Sequence, residues 1–425
     1  MVIDNSKISV TRVFIKNRAP FENMDLAFNE NEIAVLTAVN GRGKTTILSY
    51  IVDAWHEIAR PNFKNEFEGK ENKYYRVSSQ IFNININEPS FVYIRFKVQE
   101  EYIDYVDIRN ICTQLQYDEI ILEDKIPFNE IKNDLERNNY IKKVSKSLDE
   151  KKVERIFRTN VITYFPSYRY ETPGYLNEPY NIHLDFTKKS LFSGYLPNPI
   201  EVVTGLPQLA NWMMDVALDM LNYQQTQNIQ FPDGHIRTID ITKERHTMWN
   251  SLNLIISQTL STKKHFDSLH FGINKRNVGS SRISIMNDRN DMGEQKPEQI
   301  YPTIFNLSSG EAAILCIFGE ILRQADKLSN NISFNFITGI VLIDEIDKHL
   351  HIKLQKEVLP LLLNLFPNVQ FIVSSHTPFL NMGLAENKIS NARTTIIDLD
   401  QNGIKIPLQE NPIYQEVYQM MMSYL

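Results

Sequence analysis

The sequence predicts an α/β chain: a mixed β-sheet core with helices, assembled from two separate stretches, 1–105 and 300–425, around a helical insertion lobe over 106–299. Three observations predict it. Short, wholly apolar runs such as Ile33-Ala34-Val35-Leu36 and Ile340-Val341-Leu342-Ile343 read as strands buried on both faces. A glycine-rich turn, Gly41-Arg42-Gly43, joins the first of them to a helix-periodic segment. Regular apolar patterning then recurs in the last third, leaving the middle third to form a lobe of its own.

The elements follow in order. Ile8 to Lys16 alternates as a half-buried strand does, Asn29 to Glu32 is a polar turn, and Ile33 to Thr37 is a short buried strand. From Thr45 onward Ile47, Leu48, Ile51, Val52, Trp55 and Ile58 recur at helical spacing, and Arg60-Pro61 stops the helix. Phe91 to Val98 carries β-formers on alternate sides. Residues 100–158 are charged and mainly helical in pattern, broken at Pro127. Val161 to Phe165 is another buried strand, and within 160–170 it runs into the loop Pro166-Ser167-Tyr168-Arg169. Leu206 to Tyr223 and His246 to Leu260 read as amphipathic helices, whereas Asn274 to Pro302 is polar and loop-rich with one strand-like stretch, Arg282 to Met286. The last third predicts a helix from Gly310 to Ala325, the strand Ile340 to Ile343 and a helix from Leu350 to Leu365. The strand Val369 to Val373 and a sheet segment from Thr394 to Leu399 complete it.

Composition removes several function classes. No run approaches the roughly 18–20 apolar residues of a membrane span, and the first residues lack the charged-then-apolar order of a secretory signal. Cys112 and Cys316 give no disulfide framework and no metal spacing. The expectation is a cytoplasmic protein with reduced thiols and no membrane contact. A net charge of -6 disfavours a non-specific nucleic-acid binder, although a local basic groove is compatible with it.

The chemistry is carried by short segments. Successive backbone N–H groups at a helix N-terminus hold phosphate oxygens, and Gly41 and Gly43 remove the side chains that would block that approach. Asn40 and Arg42 belong to the same turn, Lys44 supplies an ammonium for the β- and γ-phosphates, and Thr45 supplies a hydroxyl for Mg²⁺, followed by Thr46. Ala38 stands where such loops usually begin with glycine. Asp344 and Glu345 end an apolar strand, where an open α/β sheet places its ligands. Asp344 is expected to hold Mg²⁺ through water and Glu345 to polarise the attacking water as general base. His376, after the next strand and Ser374-Ser375, can donate a hydrogen bond to the γ-phosphate. Ser308-Ser309-Gly310-Glu311 opens a helix and makes a second anion site. The plainer reading of that segment is an ordinary N-cap, with Ser309 capping and Glu311 in the first turn.

Together these segments resemble the P-loop NTPase ABC-ATPase heads of the SMC, RecF and OLD branch. Asn40 to Thr46 looks like that branch's phosphate loop, and Leu307-Ser308-Ser309-Gly310-Glu311 resembles its signature. Ile343 to His351 is similar to its Walker B and D-loop run, and Ser374 to Leu380 to its H-loop. Phe165-Pro166-Ser167-Tyr168-Arg169 resembles a strand-end segment of stand-alone members. The resemblance implies an ATPase using ATP and Mg²⁺, with Asp347 as the D-loop acid at a dimer interface. It also implies that the signature acts on ATP bound to another copy, giving a homodimer or higher homo-oligomer. The Q-loop glutamine has no clear match, with Gln80 and Gln99 as candidates.

No sustained heptads separate Lys44 from Ser308, which excludes a long coiled-coil arm. Only 49 residues follow His376, too few for a TOPRIM-type nuclease domain. Stand-alone heads of this size resemble ATPase subunits of bacterial anti-phage modules, either Septu-like or paired with a TOPRIM nuclease. The expected partner is therefore a separate nuclease or other effector. The competing expectation is a RecF-like DNA-binding repair or clamp ATPase. It rests on two basic runs: Lys263, Lys264, Lys275, Arg276, Arg282 and Arg289, and Lys142, Lys143, Lys146, Lys151, Lys152, Arg155 and Arg158. A transporter subunit fits poorly with the signature variant. The terminal stretch Ile413, Val417, Met420, Met421 and Tyr424 reads as a helix packed on its own core or docking a partner.

Overall fold

The computed structural model describes the chain except residues 1–6, 68–82, 121–125, 146–147, 170–192, 223–225, 231–235, 241–246, 261–268, 274–282, 292–293, 330–332, 407, 409–411 and 424–425. Its strands in chain order are β1 (Ile8–Arg18), β2 (Phe21–Ala27), β3 (Ile33–Thr37), β4 (Ser90–Val98), β5 (Glu101–Arg109), β6 (Tyr140–Val144), β7 (Val161–Phe165), β8 (Thr226–Gln230), β9 (Ile236–Asp240), β10 (Leu269–Ile273), β11 (Ile283–Asp291), β12 (Glu294–Tyr301), β13 (Gly339–Ile343), β14 (Val369–Ser375), β15 (Thr394–Asp398) and β16 (Ile404–Ile406). The α-helices are α1 (Lys44–Ala59), α2 (Gln114–Ile120), α3 (Phe128–Asn138), α4 (Glu150–Thr159), α5 (Leu206–Asn222), α6 (Thr247–Leu260), α7 (Ser309–Leu328), α8 (Leu359–Asn364), α9 (Pro378–Glu386), α10 (Lys388–Arg393) and α11 (Pro412–Ser423).

One sheet has the order β16-β15-β3-β14-β13-β7, parallel throughout except for its edge strand β16. Its strands are apolar on both sides because both faces are covered. Ala34, Leu36, Ile162, Ile340, Leu342, Ile372 and Ile397 pack with α1, α4 and an antiparallel sheet ordered β2-β1-β4-β5-β6. Ile33, Val35, Val161, Val341, Ile343, Phe371 and Val373 share the opposite core with α5, α6, α7 and α8. The far face of the antiparallel sheet, with Phe91, Tyr93, Val106 and Ile108, is covered by α2 and α3. The order of layers places the C-terminal ends of β3, β13 and β14 side by side, at the edge where α1 begins.

Four segments differ from the sequence expectation. The stretch read as mainly helical over 100–158 contains β5 and β6, whose alternation is masked by charged residues buried as pairs: Asp107 sits 2.8 Å from Arg109 and 3.6 Å from Arg18. Phe21–Ala27, not recognised as a strand, forms a hairpin with β1 and alternates only from Met24 onward, with Phe21, Met24 and Leu26 buried. The polar region Asn274 to Pro302 holds β11 and β12, long antiparallel partners whose polar side chains conceal the pairing. The helix read from Leu350 to Leu365 is interrupted: a π-turn over Leu354–Val358 precedes α8. Pro360 has no N–H to give to the carbonyl one turn earlier. That carbonyl, Lys356 O, instead lies against Gly383, where a Cβ would come within 2.0 Å of it.

Cys112 and Cys316 are both buried, and neither forms a disulfide. No helix of the described residues is long and apolar enough to cross a membrane.

Candidate functional site

The glycine-rich turn between β3 and α1 is closely packed at Gly43 and conformationally constrained at both glycines. Gly43 caps α1 with φ of 91°, and a Cβ there would lie 2.2 Å from Phe21 Cζ. Gly41, at φ of 85°, faces open space, so its requirement is conformational alone. Asn40, Gly41 and Arg42 are exposed, and Thr46 is buried in the first turn of α1. Lys44 is buried, and its ammonium donates to the carbonyls of Ala38 at 2.7 Å and Val39 at 3.3 Å. Burial holds the Lys44 pKa below the ordinary lysine range, against the opposing pull of Asp344, Asp400, Glu345 and Asp347.

Asp344 ends β13 as a buried carboxylate with both oxygens engaged. Thr45 Oγ1 donates to Oδ2 at 2.7 Å, and Ser374 Oγ donates to Oδ1 at 2.5 Å. The same Ser374 oxygen accepts the Glu345 N–H at 2.7 Å, so one hydroxyl ties both acids to the end of β14. Glu345 is half-buried and adopts φ of 48°. Asp347 follows in the turn, and its Oδ1 accepts the His376 N–H at 3.3 Å; the His376 side chain is exposed.

The second anion site is a capping box, with a correction to its register. Ser308, not Ser309, is the N-cap: its hydroxyl accepts the Glu311 N–H at 3.4 Å, and the Glu311 carboxylate accepts the Ser308 N–H at 2.9 Å. Ser308 and Ser309 are exposed. A Cβ on Gly310 would lie 2.9 Å from the His349 carbonyl oxygen, so this helix end rests on the turn that follows Asp347.

Each motif segment therefore touches another. The phosphate loop meets Asp344 through Thr45, Asp344 and Glu345 meet β14 through Ser374, Asp347 meets His376, and the turn after Asp347 meets Gly310. Two further groups join: Asp400, which motif reading does not single out, and Arg169, which lies in a family-like segment that carries no assigned role. Asp400, in the turn after β15, accepts the Val39 N–H at 2.9 Å and pairs with Arg42 at 3.0 Å. Its available signal was an acid just past a sheet strand, since β15 runs beside β3 in parallel register. Arg169 donates to the backbone carbonyls of Asp344 and Glu345.

Other expected residues lie elsewhere. Gln80 is outside the described residues, and Gln99 turns the β4–β5 hairpin with its N–H toward the Lys7 carbonyl. Of the first basic run, Lys263, Lys264, Lys275, Arg276 and Arg282 are outside the described residues, as is the Arg289 side chain. In the second, Lys142 is buried 3.5 Å from Asp53, Lys143 lies 3.5 Å from Glu130, Lys152 pairs with Glu101, and Arg158 binds Glu154 at 2.8 Å. Each of those four cations lies beside an acid, and Lys146 is outside the described residues. In α11, Tyr418 is buried and donates to Glu357 at 2.6 Å, while Met420 and Met421 are exposed.

The arrangement can bind a polyphosphate at the start of α1 beside two acids. A "Retron Vc95 probable ATPase" of Vibrio cholerae serotype O1 biovar El Tor is 23% identical over 411 residues, 89% of this chain and 72% of the relative. A "Septu protein PtuA" of Bacillus mycoides (strain KBAB4) is 34% identical over 90 residues, 21% of this chain and 12% of the relative. Among solved structures, an SMC head bound to the C-winged helix domain of ScpA aligns over 94% of this chain and 98% of its own, at 11% identity and a TM-score of 0.42. The family described as "AAA domain, putative AbiEii toxin, Type IV TA system" matches residues 114–383, which include the signature helix, Asp344, Glu345 and His376 and lie C-terminal to the phosphate loop. Matched over more than half of its length, the chain belongs to this AAA-domain family, and it is an ATPase.

Proposed function

We propose that this ATPase is the regulatory or sensor subunit of a bacterial anti-phage defence complex. ATP-dependent assembly of two or more copies controls a separate effector such as a nuclease. The observation that carries the reading is the junction of Thr45, Asp344, Ser374 and Glu345, assembled from the start of α1 and the ends of β13 and β14, up to 329 residues apart in the chain, beside a helix that begins at the exposed Ser308 and Ser309. The Septu and retron names of the relatives support the defence setting.

In this reading the backbone of Asn40 to Thr46 cradles the phosphates, and Lys44 exchanges the Ala38 and Val39 carbonyls for phosphate oxygens. Thr45 and Asp344 fit Mg²⁺, a hard cation that takes hydroxyl and carboxylate oxygens together with nucleotide phosphates and offsets their charge. Glu345 accepts a proton from the attacking water, and His376 donates to the γ-phosphate. Ser308, Ser309, Gly310 and Glu311 of one copy complete the site of another, and Asp347 lies at that junction. The division into a core over 1–105 and 300–425, which also takes in the strand near 160–170, and an insertion over the rest of 106–299 belongs to the same proposal.

The test is the mass of Glu345→Gln in solution by light scattering, with and without Mg²⁺ and ATP. Assembly only when both are present is expected. A single mass under all conditions rejects ATP-gated assembly. Recovery of one co-purifying protein when neighbouring genes are co-expressed identifies the effector.

A further inference from the structure

Glu345 needs to be held. It follows a regular strand but sits at φ of 48°, a left-handed conformation that is unfavourable for a non-glycine residue and persists only where neighbours enforce it. Ser374 fixes its N–H from the β14 side. Its carbonyl is fixed from the other side by Arg169, whose Nη2 donates to Glu345 O at 2.7 Å while Nη1 donates to the carbonyls of Asp344 and of Pro166, the latter at 3.0 Å. The guanidinium thus reads two consecutive peptide groups with its two prongs, a geometry one ammonium cannot copy. A second grip follows, since Lys348 Nζ donates to the Ser167 carbonyl. The segment Pro166 to Arg169 is a strap across the turn that carries both acids. Among the described residues, the hydrogen-bond partners of Arg169 are these carbonyls, so its charge is spent on the backbone and leaves the acids' side chains to the nucleotide. Burial lowers the Arg169 pKa, with Asp344, Glu345 and Asp347 pulling it back up.

We infer that Arg169 is a positioning residue for ATP hydrolysis, holding the Asp344–Glu345 peptides so that the Glu345 carboxylate aims at the attacking water. The inference rests on the reading of Glu345 as the base. It differs from a general stabilising role in three ways: nucleotide binding is spared, the fork matters more than the charge, and the effect acts through Glu345.

The test compares Arg169→Lys and Arg169→Ala with the unsubstituted protein and Glu345→Gln, measuring binding of a fluorescent ATP analogue, kcat and KM. Both Arg169 variants are expected to bind nucleotide within about threefold and to lose about tenfold or more in kcat, lysine rescuing little of it. In the Glu345→Gln background, Arg169→Lys is expected to remove less than about twofold of the residual rate, because the two groups act as one unit. A wild-type kcat in Arg169→Lys alongside a crippled Glu345→Gln overturns the inference and leaves the base intact. Unimpaired turnover in Glu345→Gln sinks the base and the inference together. Loss of nucleotide binding in step with turnover, or a full tenfold loss in the double variant, makes Arg169 a structural residue and overturns its assignment.

Discussion

The phosphate-loop end of the site and the signature-helix end satisfy their polar groups by opposite means. At the first, Lys44 bonds within its own loop, but three other groups are bound to residues distant in sequence: Thr45 to Asp344, Glu345 to Ser374, Val39 to Asp400. At the second, Ser308 and Glu311 satisfy each other three residues apart and the serines remain exposed. A tertiary network fixes its members only if the whole fold forms, so the first end is held by contacts within one chain. A capping box forms from local sequence and asks nothing of the rest of the protein. An exposed helix N-terminus of that kind has its positive dipole end free to meet an anion brought by another surface. The contrast is what an ATP-bridged assembly requires: one end rigid and chain-internal, the other presented outward.

Removing the cation from the rigid end should have the largest effect. Lys44→Ala takes away the one buried ammonium in a cluster of four acids, and nucleotide binding is expected to weaken about 1000-fold, the scale of losing a desolvated charged contact. Equilibrium dialysis with labelled ATP checks it. Retained micromolar binding would mean that the loop amides alone hold the nucleotide. Next, Glu345→Gln keeps the side chain's shape and its backbone ties but cannot take a proton. Hydrolysis should fall about 100-fold or more with binding preserved. Phosphate release at the unsubstituted rate would remove Glu345 as the base and break the rigid-end half of the comparison.

The outward end is sharpened by Ser308→Arg, which places a large cation where a second copy's triphosphate would approach and also removes the cap. Monomer stability should drop by about 1 kcal/mol, the ordinary worth of a serine cap. ATP-dependent assembly should weaken at least about tenfold, because a bulky side chain obstructs the helix end rather than the fold. Sedimentation in Mg²⁺ and ATP distinguishes the two effects. Assembly at full strength would show that the signature helix caps itself and does nothing else.

The same contrast decides what could be read from sequence. Strands β3, β7, β13 and β14 were legible because burial on both faces leaves a plain apolar run. The helix end at Ser308 was legible as a cap because its partners are neighbours, though its register was read one residue late. β5 was not, since Asp104 and Asp107 interrupt the alternation; Arg109 on the same strand compensates Asp107 in part, but Arg95 and Arg18 come near only on folding. Thr45, Asp344 and Glu345 could be named from motif spacing. The roles of Ser374, Arg169 and Asp400 could not, because each depends on a contact across 30 to 361 residues that no local pattern encodes.

Asp400 gives the smallest and most discriminating prediction. Its carboxylate holds the Val39 N–H and the Arg42 guanidinium, two groups facing the loop in which phosphates would lie. Arg42 is largely exposed, so their ion pair contributes about 0–1 kcal/mol and is screened by salt. A polyphosphate would meet that carboxylate as a like charge and would compete for both of its partners. Asp400→Asn keeps a hydrogen-bond acceptor for Val39, removes the charge and frees Arg42, so ATP affinity should rise by about two- to fivefold at low salt. The gain should shrink as ionic strength increases, since the repulsion removed lies at the surface. A fall in affinity would instead assign Asp400 to holding the loop in shape. The rigid end would then depend on the C-terminal hairpin as heavily as it depends on Asp344.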